Sequence, residues 1–493
     1  MAAVVDFGCC FAYNRAMTTP VEKPAISPAH VVESTLLHCD VLVIGGGITG
    51  ASTALAIARS CPAAHIILVE ASKPDLAASQ LESYFSPPGL RVSALNLQSE
   101  RFLRGLDVWS ELDAHRLKPY TALQVSENPD ASLKSATAVI GGETTFSVDD
   151  LTDSAITHLG TIIENDLLQR GLWKLMTRQP NLTLMQAELL DLVQQQQPQG
   201  VTAHLNAAGQ VRAVQARLLI GADGAGSSVR VKAGIQQMAE GYEQKALVIG
   251  VELAERAGAM TWQLFRPAGP VAYLPLFDCE GAPADHCAAY ASLVWYDSPT
   301  RIQALMQLDM ETLLEQVLQN FPDKLPRIRR IYGRAAFPLV KSHCTSYSRG
   351  SVVLVGDAAH TVNPLAGQGL NMGLQDAEAL SATVCSKLLA SDAGADGLGQ
   401  ALRSYERQRK PQNLLMTATV DAFYYAFSND IAPLKLLRRL GLSIADKAGP
   451  LKRRVLTHAL GLDQAMGSRA AGLQSTQPTP SHAVNGATES EQV

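Results

Sequence analysis

The chain has 493 residues, of which 47% are hydrophobic, so it can bury a sizeable core and its length predicts two or three lobes. Its formal net charge of -5 does not fit a nucleic-acid-binding protein, which favours a strongly basic balance. The eight cysteines include no Cys-x-x-Cys pair, so the sequence predicts no metal site and no thioredoxin-like pair.

Both ends of the chain differ in composition from the middle. Residues 1–38 have no sustained periodicity and are predicted to be a disordered extension. Residues 464–493 are rich in Ser, Thr, Gln, Pro and Gly, and such a segment cannot bury enough apolar surface to become ordered. No unbroken apolar run of about 18 residues is present, and no basic residue precedes the short apolar start of the chain. We therefore expect neither a membrane span nor a signal peptide, and a cytoplasmic protein.

The first ordered elements form a strand–turn–helix–strand pattern. Residues 40–44 are apolar and predict a buried strand, and a glycine-rich turn follows at 45–50. A helix is expected to run to about residue 59 and the next strand over 65–70. This order is typical of a unit that binds a dinucleotide.

Three glycines and one acid carry the chemistry of this unit. Gly45 permits the tight turn, Gly47 lets a pyrophosphate approach the backbone, and Gly50 lets the helix pack closely against the strand. The helix N-terminus directs amide N–H groups at the phosphates. Glu70 ends the second strand, where its carboxylate can accept hydrogen bonds from the ribose hydroxyls. The sequence predicts dinucleotide binding here, against the alternative of an ordinary glycine-rich turn.

The middle of the chain changes in character. Residues about 100–175 are predicted to be a helical insertion. The Asp223-Gly224 motif follows the apolar strand 217–220 and, taken alone, is also consistent with a turn capped by Asp223. Four β-rich runs with Gly/Pro breaks then predict an antiparallel sheet. They are residues 246–253, 261–266, 271–277 and 289–296.

A third motif follows the short apolar strand 351–355. Asp357 comes directly after that strand, where a carboxylate can bind a sugar or ribityl hydroxyl. A loop then opens a helix, whose free N–H groups suit a developing negative charge. The loop and first helical residues of interest are Pro364, Gly367, Gln368, Gly369, Leu370 and Asn371. A second dinucleotide site is a weaker interpretation because no strand ending in an acid follows. His360 is interpreted as a packed or capping residue in preference to a catalytic base.

The fold class predicted from this order is α/β. A Rossmann-like nucleotide-binding domain is interrupted by an antiparallel-sheet substrate domain and followed by C-terminal helices. The expected boundaries are 39–235 and 346–395 for the two parts of the nucleotide-binding domain, 236–345 for the sheet, and 396–463 for the helices.

The three motifs, in this order, resemble those of the class A flavoprotein aromatic hydroxylases. That resemblance implies that the cofactor is FAD, with its ADP half at the first motif and its ribityl chain at Asp357. It implies that Asp223 and Gly224 contact both FAD and a visiting NADH or NADPH, and that Arg91 lies near the flavin. The loop residues from Pro364 onward would then lie near the flavin ring.

The run 364–373, together with Asp376, resembles the pattern of the ubiquinone-biosynthesis hydroxylases. Most of that family has His where this chain has Asn363, and Asn where it has Gly226. One branch, the 3-demethoxyubiquinol hydroxylases, also carries Asn before the Pro, and the likeness to it extends over most of 40–462. The resemblance implies O2-dependent hydroxylation of a polyprenyl benzoquinol, most specifically 2-polyprenyl-3-methyl-6-methoxy-1,4-benzoquinol, through a flavin C4a-hydroperoxide.

Three alternatives stay open at this point. The chain could hydroxylate another ring position, act on a soluble aromatic acid, or be a non-catalytic FAD-bearing scaffold for other ubiquinone-synthesis proteins. The basic, amphipathic segment 431–456 fits equally an attachment to an anionic membrane surface and a solvated helix face.

Overall fold

The computed structural model describes residues 36–76, 86–127, 142–196, 199–279, 288–363, 367–388 and 395–427, together with 449, 452, 453, 456 and 457. The extension and the tail expected at the two ends, apart from residues 36–38, lie outside these residues, as do most of 431–456.

The elements follow one another in chain order, beginning with the first strand–turn–helix unit. The first half contains β1 (Leu37–Ile44), α1 (Ile48–Ser60), β2 (Ile66–Glu70), β3 (Val92–Asn96), α2 (Leu97–Gly105), β4 (Lys118–Tyr120), β5 (Ala122–Glu127), β6 (Glu143–Ser147), β7 (Gly160–Glu164), α3 (Asn165–Thr177), β8 (Leu182–Gln186), β9 (Glu188–Gln196), β10 (Gln199–Ala207) and β11 (Gln210–Gly221). The second half contains α4 (Ser228–Lys232), β12 (Gln237–Leu253), β13 (Met260–Phe265), β14 (Val271–Asp278), β15 (Ala289–Asp297), α5 (Pro299–Gln307), α6 (Met310–Asn320), β16 (Ile328–Cys344), β17 (Ser348–Arg349), β18 (Val352–Leu354), β19 (His360–Thr361), α7 (Gln368–Leu388) and α8 (Ala395–Phe427).

The first sheet has the order β17-β18-β11-β1-β2-β8, with β10 and β9 added on β11. β18, β11, β1, β2 and β8 run parallel, so their carboxyl ends meet at one edge. Helices α1 and α7 pack against each other beside this sheet, and the buried apolar side chains of both join one core with the strands. The edge where the strands end is therefore where the predicted motif residues come together.

The second sheet has the order β19-β16-β12-β15-β14-β13-β5-β6 and is largely antiparallel. Helices α5 and α6 cover one face through Ile302, Leu305, Leu313 and Val317, which pack in one apolar cluster with the strands. The other face packs against side chains of the first lobe. A third, three-stranded sheet has the order β3-β7-β4.

The predicted α/β fold class is confirmed, and the predicted strands and helices near the three motifs are present within a few residues. Two expectations were wrong in part. The insertion over residues 100–175 is not purely helical, because β4 to β7 lie within it and β5 and β6 extend the second sheet. The first strand also begins at Leu37, inside the segment expected to be a disordered extension.

Candidate cofactor and substrate site

The glycine-rich turn after β1 is shaped by contacts that only glycine allows. Gly45 has φ +106°, and a Cβ there would lie 2.4 Å from the carbonyl oxygen of Ala222. At Gly50, a Cβ would lie 2.0 Å from the carbonyl oxygen of Gly45. Gly45 is therefore required by its positive φ and by the close approach of the turn after β11, and Gly50 by the packing of the first turn of α1 on Gly45.

Gly47 differs from its neighbours because nothing lies within 4 Å of the position its Cβ would take. It is the residue before the first turn of α1, with an ordinary φ of -64°. The open space lies at a helix N-terminus, where amide groups and the helix dipole favour a negatively charged ligand. This turn fits the pyrophosphate of a dinucleotide.

Glu70 lies beside this turn at the end of β2. Its carboxylate accepts a hydrogen bond from the backbone N–H of Gly46 at 2.5 Å and another from Ser72 at 3.2 Å. The carbonyl of Gly46 in turn accepts hydrogen bonds from Trp173 and Gln169 of α3. The acid is therefore fixed against the turn, where it can also meet a ribose.

Asp223 binds the N-terminus of α4, whose N-cap residue is Ser227. Its carboxylate accepts hydrogen bonds from the hydroxyl of Ser227 (2.5 Å) and from the backbone N–H groups of Ser228 (2.7 Å) and Val229 (3.1 Å). Gly224 follows with φ +78° and open space at its Cβ position. The alternative of a capped turn thus describes what the side chain of Asp223 does here, and its contact with FAD and NAD(P)H stays a prediction.

Arg230 connects this turn with the third motif. Its guanidinium, which is buried, donates to the carbonyl of Ala225 at 2.9 Å and to that of Ala358 at 3.1 Å. Arg230 therefore fixes the distance between the turn that carries Ala225 and the segment that carries Ala358. Sequence reasoning did not single out Arg230 because nothing local distinguishes it from a surface arginine.

Asp357 and Arg91 come from segments far apart in sequence and meet at the same edge. Asp357 follows β18 with an exposed side chain, and Gly356 before it takes φ +57°. Arg91, just before β3, is also exposed; burial raises the pKa of Asp357, and the positive charges of His360 and Arg91 partly oppose that rise. Both side chains are available to a ligand, and their contacts with FAD stay predictions.

The loop leading into α7 is held by Asn371. This side chain is 1% exposed, donates to the carbonyls of Ala94 (2.9 Å) and Gly367 (3.2 Å), and accepts from the N–H of Asn96 (3.0 Å). Asn371 therefore fixes the loop against β3. A direct contact of its side chain with the cofactor stays a prediction.

The other loop residues surround the helix N-terminus. Gly367 takes φ +64°, and its Cβ position would lie 3.7 Å from the N atom of Ala94. Gln368, Gly369 and Leu370 are partly exposed. Pro364 lies outside the described residues.

Behind this edge lies a buried polar network around Asp376, a residue that belongs to the motif but whose partners the sequence did not predict. Asp376 of α7 has a fully buried side chain and accepts hydrogen bonds from His360 (2.5 Å), Arg409 (2.8 Å), Asn413 (3.1 Å) and the N–H of Gly356 (3.1 Å). Burial alone would raise the pKa of Asp376, but His360 and Arg409 hold it well below its usual value. His360 is thus a packed residue, the interpretation preferred from sequence.

Taken together, these residues fit a bound FAD. An open helix N-terminus, an acid fixed beside it and an exposed Asp–Arg pair lie at the carboxyl edge of one parallel sheet. Among the helices of the described segments, none is long and apolar enough to cross a membrane.

Comparison with known proteins places this site in a class. A family model described as an FAD-binding domain matches residues 38–419, and the chain belongs to that family. It is a flavoprotein monooxygenase related to hydroxylases of ubiquinone biosynthesis. The chain is 36% identical over 424 residues to the 3-demethoxyubiquinol 3-hydroxylase of Escherichia coli, covering 86% of this chain and 98% of that protein.

Other relatives agree with this class. The ubiquinone hydroxylase UbiL of Rhodospirillum rubrum is 33% identical, covering 86% of this chain and 89% of that protein. Human ubiquinone biosynthesis monooxygenase COQ6 is 29% identical, covering 85% and 92%. The crystal structure of p-nitrophenol 4-monooxygenase PnpA from Pseudomonas putida matches with a TM-score of 0.68 at 16% identity, covering 86% of this chain and 98% of that one. This last match supports the fold alone.

Proposed function

We propose that the chain hydroxylates the ring of 2-polyprenyl-3-methyl-6-methoxy-1,4-benzoquinol, using O2 and a visiting NADH or NADPH. The observation that carries this proposal is the 36% identity with a 3-demethoxyubiquinol 3-hydroxylase over nearly its whole length. The geometry of the cofactor site is consistent with it. The ring position rests on the relative, because no described contact selects a ring carbon.

In this proposal each of the site residues binds one part of FAD. Gly45 and Gly47 with the N-terminus of α1 would hold the pyrophosphate, and Glu70 the ribose. Asp357 would hold the ribityl chain, and Arg91 would lie near the ring system. Bound FAD supplies the activation of O2 and the transfer of a hydroxyl to an electron-rich ring. The protein's task is to orient that ring and to exclude water.

In this proposal no separate domain of the protein binds the reductant, NADH or NADPH. The sequence holds one clear dinucleotide fingerprint, at 45–50, which is assigned to FAD. NADH or NADPH would therefore bind transiently, near the Asp223-Gly224 turn as the family resemblance implies.

The proposal is tested by genetic complementation together with product analysis. A strain blocked at the demethoxy intermediate is expected to regain ubiquinone when it receives this gene, and purified protein is expected to convert the matching quinol to a product heavier by one oxygen. Rescue of a strain blocked at another ring position, without rescue of this one, would show the ring assignment to be wrong. Bound FAD without substrate-stimulated NAD(P)H oxidation would favour the scaffold alternative.

We also propose that the basic segment 431–456 attaches the protein to an anionic membrane surface. Lys452 is an exception, because it forms an ion pair with Asp150 at 2.9 Å and is 9% exposed. Most of the other basic residues of the segment lie outside the described residues. Each available Lys or Arg would contribute about 1 kcal/mol at low salt. Flotation with vesicles containing anionic lipid is expected at low salt and not at high salt; absence of binding in both conditions supports a solvated face.

A further inference from the structure

The second sheet turns one of its faces toward the cofactor-binding lobe. In β15, Ala291, Leu293 and Trp295 pack in the cluster covered by α5 and α6. Because side chains alternate along a strand, Ser292 and Val294 between them lie on the opposite face. On that face the sheet meets α2, β7 and α7 of the other lobe through buried apolar side chains.

Two belts of large side chains close this contact at either end. One belt contains Phe277 and Tyr290, whose ring centroids are 5.1 Å apart, packed with Leu97 and Ile162. The other contains Phe265 and Tyr296 packed with Val362, Met372, Val420 and Tyr424. Between the belts, Leu274 packs with the first belt and Val294 with the second, and Tyr332 is the large side chain: its ring lies over Gly250, where a Cβ would be 2.3 Å away.

The strip between the belts consists mostly of small residues in two rows of cross-strand neighbours. One row is Leu274, Ser292, Gly250 and Gly333, and the other is Ala272, Val294, Val248 and Ala335. We call these eight residues the floor. Val248, Ala272, Leu274 and Val294 remain partly exposed although they lie between two buried clusters. The first row is covered at Gly250 by Tyr332 and at Gly333 by Leu90, so it is the second row, beside Ser292, that is left partly uncovered and can receive a flat, apolar ring.

Ser292 is the exception on this floor. Its side chain is 2% exposed, and its hydroxyl has no hydrogen-bond partner among the described residues. Its cross-strand neighbours, Leu274 and Gly250, offer no polar side chain. A buried hydroxyl without a partner is unfavourable by about 1–3 kcal/mol, so native proteins rarely keep one without a reason.

The floor also lies close to the segment that carries Arg91. A Cβ on Gly333 would lie 3.3 Å from the side chain of Leu90, the residue before Arg91. Ser292 is two strands away from Gly333 in the same row, which is roughly 10 Å at the usual strand spacing. A ring lying over Ser292 would thus be near the residues expected to contact the flavin.

We propose that Ser292 is a specificity-determining residue whose hydroxyl hydrogen bonds to one ring oxygen of the quinol and so selects the ring carbon that faces the flavin. The inference rests on the proposed function. Apolar contacts with the floor are non-directional and would allow the flat ring to rotate in its own plane. One hydroxyl, which can donate one hydrogen bond and accept two, removes that freedom.

The test compares Ser292→Ala with Ser351→Ala as a matched control. Ser351 is 1% exposed, its hydroxyl also has no partner among the described residues, and it lies at the start of β18 in the other sheet. Both variants are expected to fold with unchanged or slightly raised melting temperature. Ser292→Cys, which keeps the volume and only a weak donor, serves as a second variant.

The probes are the proposed quinol with a single prenyl unit and two analogues that each lack one ring hydroxyl. Binding to the FAD-loaded protein is followed anaerobically by flavin absorbance, and coupling is the hydroxylated product formed per NAD(P)H oxidised. Wild type is expected to bind one analogue about 2- to 10-fold more weakly than the quinol, the effect of one net hydrogen bond. Ser292→Ala is expected to lose that discrimination and to couple less well, whereas Ser351→Ala keeps both.

The outcomes separate the two proposals. If wild type hydroxylates the quinol and Ser292→Ala retains its affinity, discrimination and coupling, the role of Ser292 is refuted while the function stands. If wild type hydroxylates none of the benzoquinol probes, the proposed function is wrong and the inference is overturned with it.

Discussion

Replacing Gly47 by Glu is expected to give a folded protein that contains no FAD. The side chain has room, since nothing lies within 4 Å of its Cβ position, and φ of -64° is allowed for any residue. The same space is where the pyrophosphate would approach the N-terminus of α1, so a carboxylate there opposes it by both volume and charge. We expect loss of the yellow colour and of the visible flavin absorbance, with a far-UV circular dichroism spectrum like that of wild type.

The matched control is Gly105→Glu. Gly105 ends α2, is exposed, and likewise has nothing within 4 Å of its Cβ position. This variant makes the same chemical change away from the turn and is expected to purify with about one FAD. Gly50→Ala serves as the contrast, because its Cβ would lie 2.0 Å from the carbonyl oxygen of Gly45 and should destabilise the fold itself. Full flavin content in Gly47→Glu would refute the assignment of this turn.

The sequence was sufficient for the first motif because its constraints are local. Gly45 has φ +106°, and the contact between Gly50 and Gly45 joins residues five positions apart. The presence of glycine at these positions is therefore enough to predict the shape of the turn. Asp357 and Glu70 were also accessible to prediction, since Glu70 ends β2, Asp357 comes three residues after β18, and both strands end at the binding edge.

The sequence motifs did not distinguish residues that are available to a ligand from residues that hold the backbone in place. Asp223 and Asn371 belong to the same motifs as the exposed residues, yet their side chains bond to the backbone of neighbouring segments. The partners of Asn371, in β3, are about 275 positions away, and no local pattern encodes such a contact. The same is true of Ser292, whose importance depends on which face of β15 is covered by helices.

The insertion over residues 100–175 shows the same limit. Its strand β7 pairs with β3 on one side and β4 on the other, and β5 pairs with β13, a strand more than 130 positions later. Short strands such as β4, of three residues, carry too little alternation to be recognised alone. Tertiary pairing therefore decided their conformation.

Replacing Asp376 by Asn is expected to lower the free energy of unfolding by about 3–5 kcal/mol. The reason is that its side chain bonds to residues that are distant in sequence and themselves buried. The carboxylate is fully buried and is the acceptor for Arg409 of α8, itself 2% exposed, and for His360. Asparagine keeps the shape but removes the negative charge, which leaves the guanidinium buried without its counter-charge. Asp191→Asn, an exposed carboxylate on β9, is the matched control and should change stability by less than about 0.5 kcal/mol.

The pH dependence of stability gives a second, independent readout of this network. Because the folded-state pKa of Asp376 is held below its unfolded value, the carboxylate contributes stability that is present above that unfolded pKa, roughly 4, and is lost as the pH falls toward the folded pKa. Urea unfolding of wild type and Asp376→Asn between pH 7 and pH 3 should therefore show curves that converge toward acid. A constant gap across this range, or a difference below about 1 kcal/mol at pH 7, would mean that Arg409 and His360 do not depend on the Asp376 charge.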